Sequence, residues 1–145
     1  MRAVAYSIKS YEKEPLAIAN RKKHEITLIS NSLSEDTAAY AEGKEAVIVL
    51  DEDEVSASVI DKLADMGIKY IATRSTSISH IDQQAAERRH IKIANVPALA
   101  IDQPTGETYY TISATETIRN LDQWQGKKCL GNACICSKTC RSQSL

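Results

Sequence analysis

Hydroxyl-bearing side chains cluster at Ser75, Thr76 and Ser77, shortly after the apolar segment 70–73. In an open α/β sheet, ligands bind beyond the carboxyl ends of the strands, and a loop at that edge can present backbone N–H groups to an anion. The cluster therefore predicts a binding or regulatory module that captures a small carboxylate or a protein partner.

A second candidate is the acidic run 51–54, which directly follows the apolar segment 46–50. A response-regulator receiver places its phosphoacceptor at the position of Asp51. Such a domain also needs an acidic pair after its first strand to bind Mg²⁺, whereas Ser7 and Ile8 stand there. We therefore interpret the run as a solvated loop that leads into the next helix.

The third candidate is a group of cysteines confined to the last part of the chain: Cys129, Cys134, Cys136 and Cys140. Four thiolates would satisfy tetrahedral Zn²⁺ or an iron–sulfur centre. Structural zinc usually takes two well-separated Cys-x₂₋₄-Cys knuckles, whereas here only residue 135 separates the two pairs, so reduced thiols in a tail are the alternative.

Charge and hydropathy argue against several classes of partner. Eighteen basic and nineteen acidic residues give a net charge of −1, so the chain offers no large positive field to nucleic acid or to an anionic membrane. No apolar run approaches the ~20 residues that span a bilayer, and residues 1–10 lack the layout of a signal peptide. We expect a cytoplasmic protein that binds neither nucleic acid nor membrane.

Short apolar segments alternate with helical patterns along the chain. The segment 46–50 is continuously apolar, as a strand covered on both faces must be, and Ser56 can cap a helix that ends at Gly67. This alternation predicts an α/β fold with a flavodoxin-like, doubly wound, five-stranded parallel sheet in three layers. The five strands are predicted at 2–7, 25–30, 46–50, 69–73 and 91–95.

A long helix at 107–125 is expected to close the sheet, which makes residues 1–125 a single domain. Residues 126–145 are expected to form a cysteine-rich tail outside the main core. Dinucleotide binding requires a Gly-x-Gly-x-x-Gly turn after the first strand, and residues 7–12 contain no glycine. No cofactor is therefore expected in this chain, apart from zinc or an iron–sulfur centre at the tail.

Residues 74–82 read Arg-Ser-Thr-Ser-Ile-Ser-His-Ile-Asp, and residues 95–97 read Asn-Val-Pro. They resemble the Arg-Ser-x-Gly-x-x-His-Ile-Asp loop and the start of the Asn-Val-Pro-x-Tyr segment of D-lactate dehydrogenases, in the D-2-hydroxyacid dehydrogenase family. The segments 4–7, 40–43, 120–124 and 128–134 also resemble bacterial members. The motifs occur in the family's order.

The resemblance implies that residues 1–100 and 106–125 correspond to the two halves of the family's substrate domain, joined near 101–105. Family members insert between these halves a nucleotide-binding domain that binds NAD and supplies the catalytic Arg, Glu and His. This chain has no counterpart to them. The resemblance thus implies a stand-alone substrate domain, natural or engineered, without dehydrogenase activity and without catalytic residues. It also implies a monomer or weak dimer, because family assembly relies on the missing domain.

The substrate-binding positions implied by the resemblance are vestigial. They are Ser75, Thr76, Ser77 and Leu99, and either Leu99 or Ala100 takes the place of the family's Tyr. The family's glycine is Ser77 here, which should hinder close approach to the loop backbone. Weak binding of small 2-hydroxy or 2-oxo acids is expected, and His80 is expected to serve the loop or the start of the next helix.

Overall fold

A computed structural model describes residues 1–101 and 106–135. Its centre is a six-stranded sheet with the strand order β2-β1-β3-β4-β5-β6. The first five strands are parallel and β6 pairs antiparallel with β5, which confirms the flavodoxin-like order. The strands β1 to β6 span Arg2–Ala5, Glu25–Leu28, Ala46–Val49, Tyr70–Thr73, Lys92–Ala94 and Cys134–Ile135.

The central strand β3 is buried over its whole length, as its continuously apolar sequence predicts. Its side chains alternate between two cores. One core joins Val47 and Val49 to larger aliphatic side chains from the neighbouring strands. The other joins Ala46 and Ile48 to alanines of the same sheet. The sheet is therefore covered on both faces, with smaller residues on the second.

The helices α1 to α4 span Lys13–Asn20, Ala57–Asp65, Gln83–Arg88 and Glu107–Gln125. The Ser56 hydroxyl accepts a hydrogen bond from the Val59 N–H at 3.4 Å, which confirms the predicted cap. The Asp82 carboxylate caps α3 in the same way through the Ala85 N–H at 3.0 Å.

The sequence pattern of residues 34–42, closed by Gly43, predicts a short helix, but the structure has only a 3-10 turn at Ala38–Ala41. The Thr37 hydroxyl donates to the Ser32 carbonyl at 2.6 Å and accepts from the Ser34 N–H at 2.9 Å. Such local bonds give the backbone an alternative to the helix.

Helix α4 has the predicted bounds, and it lies on the alanine-rich face of the sheet beside α1. It buries Ile118, Leu121 and Trp124 there, and the Trp124 ring stacks on Tyr70 with centroids 4.8 Å apart. None of the helices in the described ranges is long and apolar enough to cross a membrane.

Strand β6 is the main departure from the predicted architecture, which had five strands and a tail outside the core. The Asn95 N–H donates to the Ala133 carbonyl at 3.1 Å, and Ala133 and Cys134 are buried. A strand of two residues is too short to show a period-two pattern, so the sequence did not reveal it. Residues 134 and 135 thus extend the sheet beyond β5.

Candidate functional site

The carboxyl ends of β4 and β5 bring residues 75–79, here termed the serine loop, against residues 95 and 96. The Val96 N–H donates to the Ser75 carbonyl at 3.0 Å, and the Asn95 side-chain amide donates to the Thr76 carbonyl at 2.9 Å. The Ser75 hydroxyl donates to the Ser77 carbonyl at 3.2 Å. Three successive carbonyls of the loop are therefore held by donors of the protein itself.

The N–H groups in the middle of the loop, at residues 76–78, are left without a partner among the described residues. In a trans peptide the N–H of each residue points away from the carbonyl that precedes it. The N–H groups of Thr76, Ser77 and Ile78 accordingly have no hydrogen-bond partner within residues 1–101 and 106–135. A row of unpaired N–H groups at a strand end is a binding element for an anion such as a carboxylate.

The serine at position 77 does not strain the loop. Among described non-glycine residues, only five have a positive φ, and Ser77 is not one of them. Its Oγ accepts from the Ser79 N–H at 3.4 Å and lies 3.0 Å from the Ser79 hydroxyl. The Ser77 side chain therefore does not distort the backbone, but it can obstruct a ligand that approaches the loop.

The predicted site residues differ in their exposure. Thr76 and Ser77 are exposed, whereas Ser75 is only 4% exposed. The Ser75 hydroxyl lies 2.8 Å from that of Thr73, which in turn lies 3.3 Å from the His80 Nε2. Ser75 thus shapes the loop from inside, while Thr76 and Ser77 face solvent.

Leu99 lies on a 3-10 turn at Ala98–Ala100 and is 84% exposed. The Val96–Ser75 bond brings the start of this connection to the serine loop, so Leu99 follows within a few residues. Its aliphatic side chain offers no hydrogen-bond donor to a ligand.

A buried ion pair anchors the start of the serine loop, and sequence reasoning did not identify it. The Arg74 Nε and Nη2 donate to the two Glu12 carboxylate oxygens at 2.7 and 3.1 Å. The same guanidinium donates to the carbonyls of Tyr6 and Ser7 at 3.0 and 3.2 Å. An arginine directly after β4 and a glutamate after β1 are the only sequence signal of this pair.

The acidic run 51–54 is not wholly solvated, because Asp53 is 1% exposed. Its carboxylate accepts from the Ser7 hydroxyl at 2.5 Å, the Leu33 N–H at 2.9 Å and the Leu50 N–H at 2.7 Å. Burial, followed by the charge of Asp53, raises the pKa of the Tyr6 hydroxyl well above its usual value. Asp53 therefore joins the loops that follow β1, β2 and β3.

Of the cysteines proposed as metal ligands, Cys129 is partly exposed and Cys134 is buried in β6. Cys136 and Cys140 lie outside the described residues. Cys134 takes part in a disulfide, so it could bind a metal as a thiolate only after reduction. In the described ranges no three His, Cys, Asp or Glu side chains are grouped to hold a metal ion. Zinc or an iron–sulfur centre stays a prediction.

The fold and this loop define a doubly wound α/β domain with N–H groups at the carboxyl edge of its sheet that have no partner in the described part of the chain. Residues 3–125 match the family model described as D-isomer specific 2-hydroxyacid dehydrogenase, catalytic domain. The chain belongs to this family.

Individual relatives agree with the family assignment. The D-lactate dehydrogenase of Escherichia coli is 35% identical over 68% of this chain and 30% of its own length. An aromatic 2-oxoacid reductase of Clostridium sporogenes is 31% identical over 77% of this chain and 33% of its own length. The chain thus spans about a third of the curated relatives it matches.

Solved structures show the same fold. The apo-structure of the Escherichia coli D-lactate dehydrogenase superposes with a TM-score of 0.66 at 35% identity, covering 68% of this chain and 31% of that protein. The structure of Salmonella D-lactate dehydrogenase gives a TM-score of 0.66 at 34% identity, with 68% and 30% covered.

Proposed function

We propose that this chain is a substrate-domain module that binds small 2-hydroxy or 2-oxo acids weakly at the serine loop and transfers no hydride by itself. The observation that carries the proposal is the row of N–H groups at 76–78, for which residues 1–101 and 106–135 provide no hydrogen-bond partner. Relatives named for D-lactate and for aromatic 2-oxoacids act on molecules with a carboxylate beside an oxygen-bearing carbon. Such a carboxylate complements several N–H donors.

Weak affinity follows from what the loop lacks. The guanidinium of Arg74, directly before the loop, is bound by Glu12 and by two carbonyls, so it is not available to a ligand. Leu99 adds apolar surface without a donor. Backbone donors on a partly exposed loop then compete with water for the carboxylate, which leaves a small net gain.

The short connection between residues 1–100 and 106–125 is the reason to expect no turnover. Only residues 102–105 separate Ile101 from Gly106, at the point where the resemblance implies an inserted nucleotide-binding domain. The loop after β1, where a doubly wound domain would itself bind a dinucleotide, contains no glycine and is occupied by the Glu12–Arg74 pair. Neither place supports NAD binding.

The test of binding is a titration of ¹⁵N-labelled protein with pyruvate, D-lactate or 2-hydroxyglutarate, followed by backbone amide shifts. We expect shifts centred on 76–78 at millimolar ligand, and smaller shifts with lactamide, which keeps the hydroxyl but lacks the carboxylate. Unmoved amide signals at 76–78 with all three acids would contradict the binding proposal.

The test of turnover is the absorbance of NADH mixed with pyruvate and the purified chain. No decrease above the protein-free rate is expected. An enzyme-like rate that copurifies with this chain through two different columns would show that the chain does transfer hydride.

A further inference from the structure

We infer that His80 is a positioning residue of the serine loop, whose Nε2–H begins a one-directional chain of hydrogen bonds through Thr73 and Ser75 to the Ser77 carbonyl. The inference rests on the proposed function only for its effect on ligand affinity. The chain of hydrogen bonds itself belongs to the free protein.

The direction of the chain follows from the capacity of each group. The Ser77 carbonyl can only accept, so the single hydroxyl proton of Ser75 must be donated to it. The Ser75 oxygen is then an acceptor for the hydroxyl of Thr73 at 2.8 Å. Only this assignment allows all the contacts to be hydrogen bonds at once.

The tautomer of His80 is fixed by the same reasoning. Because Thr73 donates its hydroxyl proton to Ser75, the Thr73 oxygen can only accept a hydrogen bond from the His80 Nε2, 3.3 Å away. The Nε2 atom must therefore carry the hydrogen. The Nδ1 atom is buried without a partner among the described residues. A hydrogen on Nδ1 would leave a buried donor unsatisfied, which is costly. Both observations favour the neutral Nε2–H ring.

Backbone contacts fix the position of His80 in the fold. The His80 carbonyl accepts from the Val55 N–H at 3.0 Å, and Val55 forms a parallel bridge with Ile81. Burial lowers the pKa of the imidazole, while the charges of Asp51 and Asp53 oppose that change. The backbone at His80 is thus tied to the segment that follows β3.

The chain of hydrogen bonds from His80 holds a loop carbonyl that residues 95 and 96, directly after β5, do not hold. Residues 95 and 96 hold the carbonyls of Ser75 and Thr76, but the carbonyl of Ser77 is held only by the Ser75 hydroxyl among the described residues. Because this carbonyl shares a peptide plane with the Ile78 N–H, His80 fixes the direction of the last donor in the row.

The first measurement is the tautomer, observed by two-bond ¹H–¹⁵N correlation of the imidazole at neutral pH. We expect an unprotonated Nδ1 and a protonated Nε2. A protonated Nδ1, in either the other tautomer or the cation, would overturn the inference. This measurement needs no ligand, so it stays valid even if the proposed binding function fails.

The second measurement uses matched pairs of variants. His80→Gln keeps a donor at the position of Nε2 and His80→Leu removes it, while Thr73→Ser keeps the relay hydroxyl and Thr73→Val removes it at nearly constant shape. We expect backbone order parameters at Ser77 and Ile78 to fall from about 0.85 towards 0.6 in the Leu and Val variants. In the Gln and Ser variants they should stay near the wild-type value.

Ligand affinity provides the link to function. If the wild-type protein binds pyruvate, the Leu and Val variants should bind it roughly three- to tenfold more weakly, the range that one lost hydrogen bond gives. Circular dichroism identifies any variant that fails to fold, and Thr73→Val then stands in for His80→Leu. Unchanged order parameters in a folded Val variant would overturn the inference, whatever the ligand does.

Discussion

The side chains of Arg74 and Glu12 form a doubly hydrogen-bonded ion pair between the end of β4 and the loop after β1. The N–O distances are 2.7 and 3.1 Å, and the side chains are only 2% and 12% exposed. Since the same guanidinium also holds the carbonyls of Tyr6 and Ser7, the serine loop starts from a point fixed to the central part of the sheet.

Removal of the Glu12 carboxylate should destabilise the domain strongly. Glu12→Ala leaves a guanidinium buried without its counter-charge, which costs about 3–5 kcal/mol of unfolding free energy. Glu14→Ala, at an exposed position of α1, is the control and should change stability by less than about 0.5 kcal/mol. Urea unfolding followed by circular dichroism measures both. Equal stability of the two variants would show that the ion pair does not stabilise the fold.

Replacement of the buried Asp53 by a neutral residue should destabilise the domain, because its carboxylate accepts three hydrogen bonds. Asp53→Asn replaces a charged acceptor of three hydrogen bonds by an amide that presents N–H groups where an acceptor is needed. Hydrogen bonds to charged groups contribute about 1.5–3 kcal/mol each, so a loss of about that size is expected. The remaining amide oxygen can still accept from the Ser7 hydroxyl and the Leu33 N–H, whereas the Leu50 N–H then faces the amide nitrogen.

The control for Asp53 is Asp51→Asn, because Asp51 is exposed in the same acidic run. Thermal unfolding of both variants distinguishes the two aspartates. A melting temperature of Asp53→Asn within one or two degrees of Asp51→Asn would contradict the structural role of the buried carboxylate.

Much of the fold could be predicted from local signals. The wholly buried β3 has a continuously apolar sequence, Ser56 caps α2, and α4 spans the residues 107–125 expected of the closing helix. Each signal lies within one stretch of chain and reports burial or capping directly.

The candidate site could be predicted only in part. Its location followed from Ser75 to Ser77 at a strand end, but the contacts that orient it join residues far apart in sequence. Arg74 and Glu12 are 62 positions apart, and Asp53 and Ser7 are 46 apart. Neither periodicity nor composition carries information about such pairs, and an aspartate in an acidic run looks solvated until its partners are known.

Stability should depend on pH through His80. Because burial holds the folded-state pKa of His80 below the ordinary value, the neutral ring stabilises the fold fully above about pH 6.5. This contribution is lost as the pH falls through the folded-state pKa. We expect the melting temperature to drop more steeply on acidification in the wild type than in His80→Gln, which cannot titrate. Parallel pH profiles of the two proteins would contradict this expectation.

Ser77→Gly should strengthen ligand binding. The resemblance places a glycine at this position, and a loop without the Ser77 side chain lets a carboxylate approach the backbone N–H groups more closely. Because Ser77 has no positive φ, the change should leave the loop conformation in place.

Amide shift titration of Ser77→Gly with pyruvate should give a lower dissociation constant than wild type. Ser79→Gly, a similar change two residues on, serves as the control, and equal affinities for the two variants would argue against steric hindrance at position 77.

The closing helix α4 should be required for folding. It buries Ile118, Leu121 and Trp124 on the sheet, and burial of such large apolar side chains contributes roughly 1.5–3 kcal/mol each. Their loss is comparable with the ~5–15 kcal/mol that stabilises a typical domain.

Truncation after residue 102 should therefore give an unfolded or aggregating product. Truncation after Gln125 removes β6 but keeps α4, so it should give a folded domain with a lower melting temperature. Circular dichroism melts compare both with the full chain, and a cooperative transition at the full-chain temperature in the shorter product would show that α4 is not needed to complete the fold.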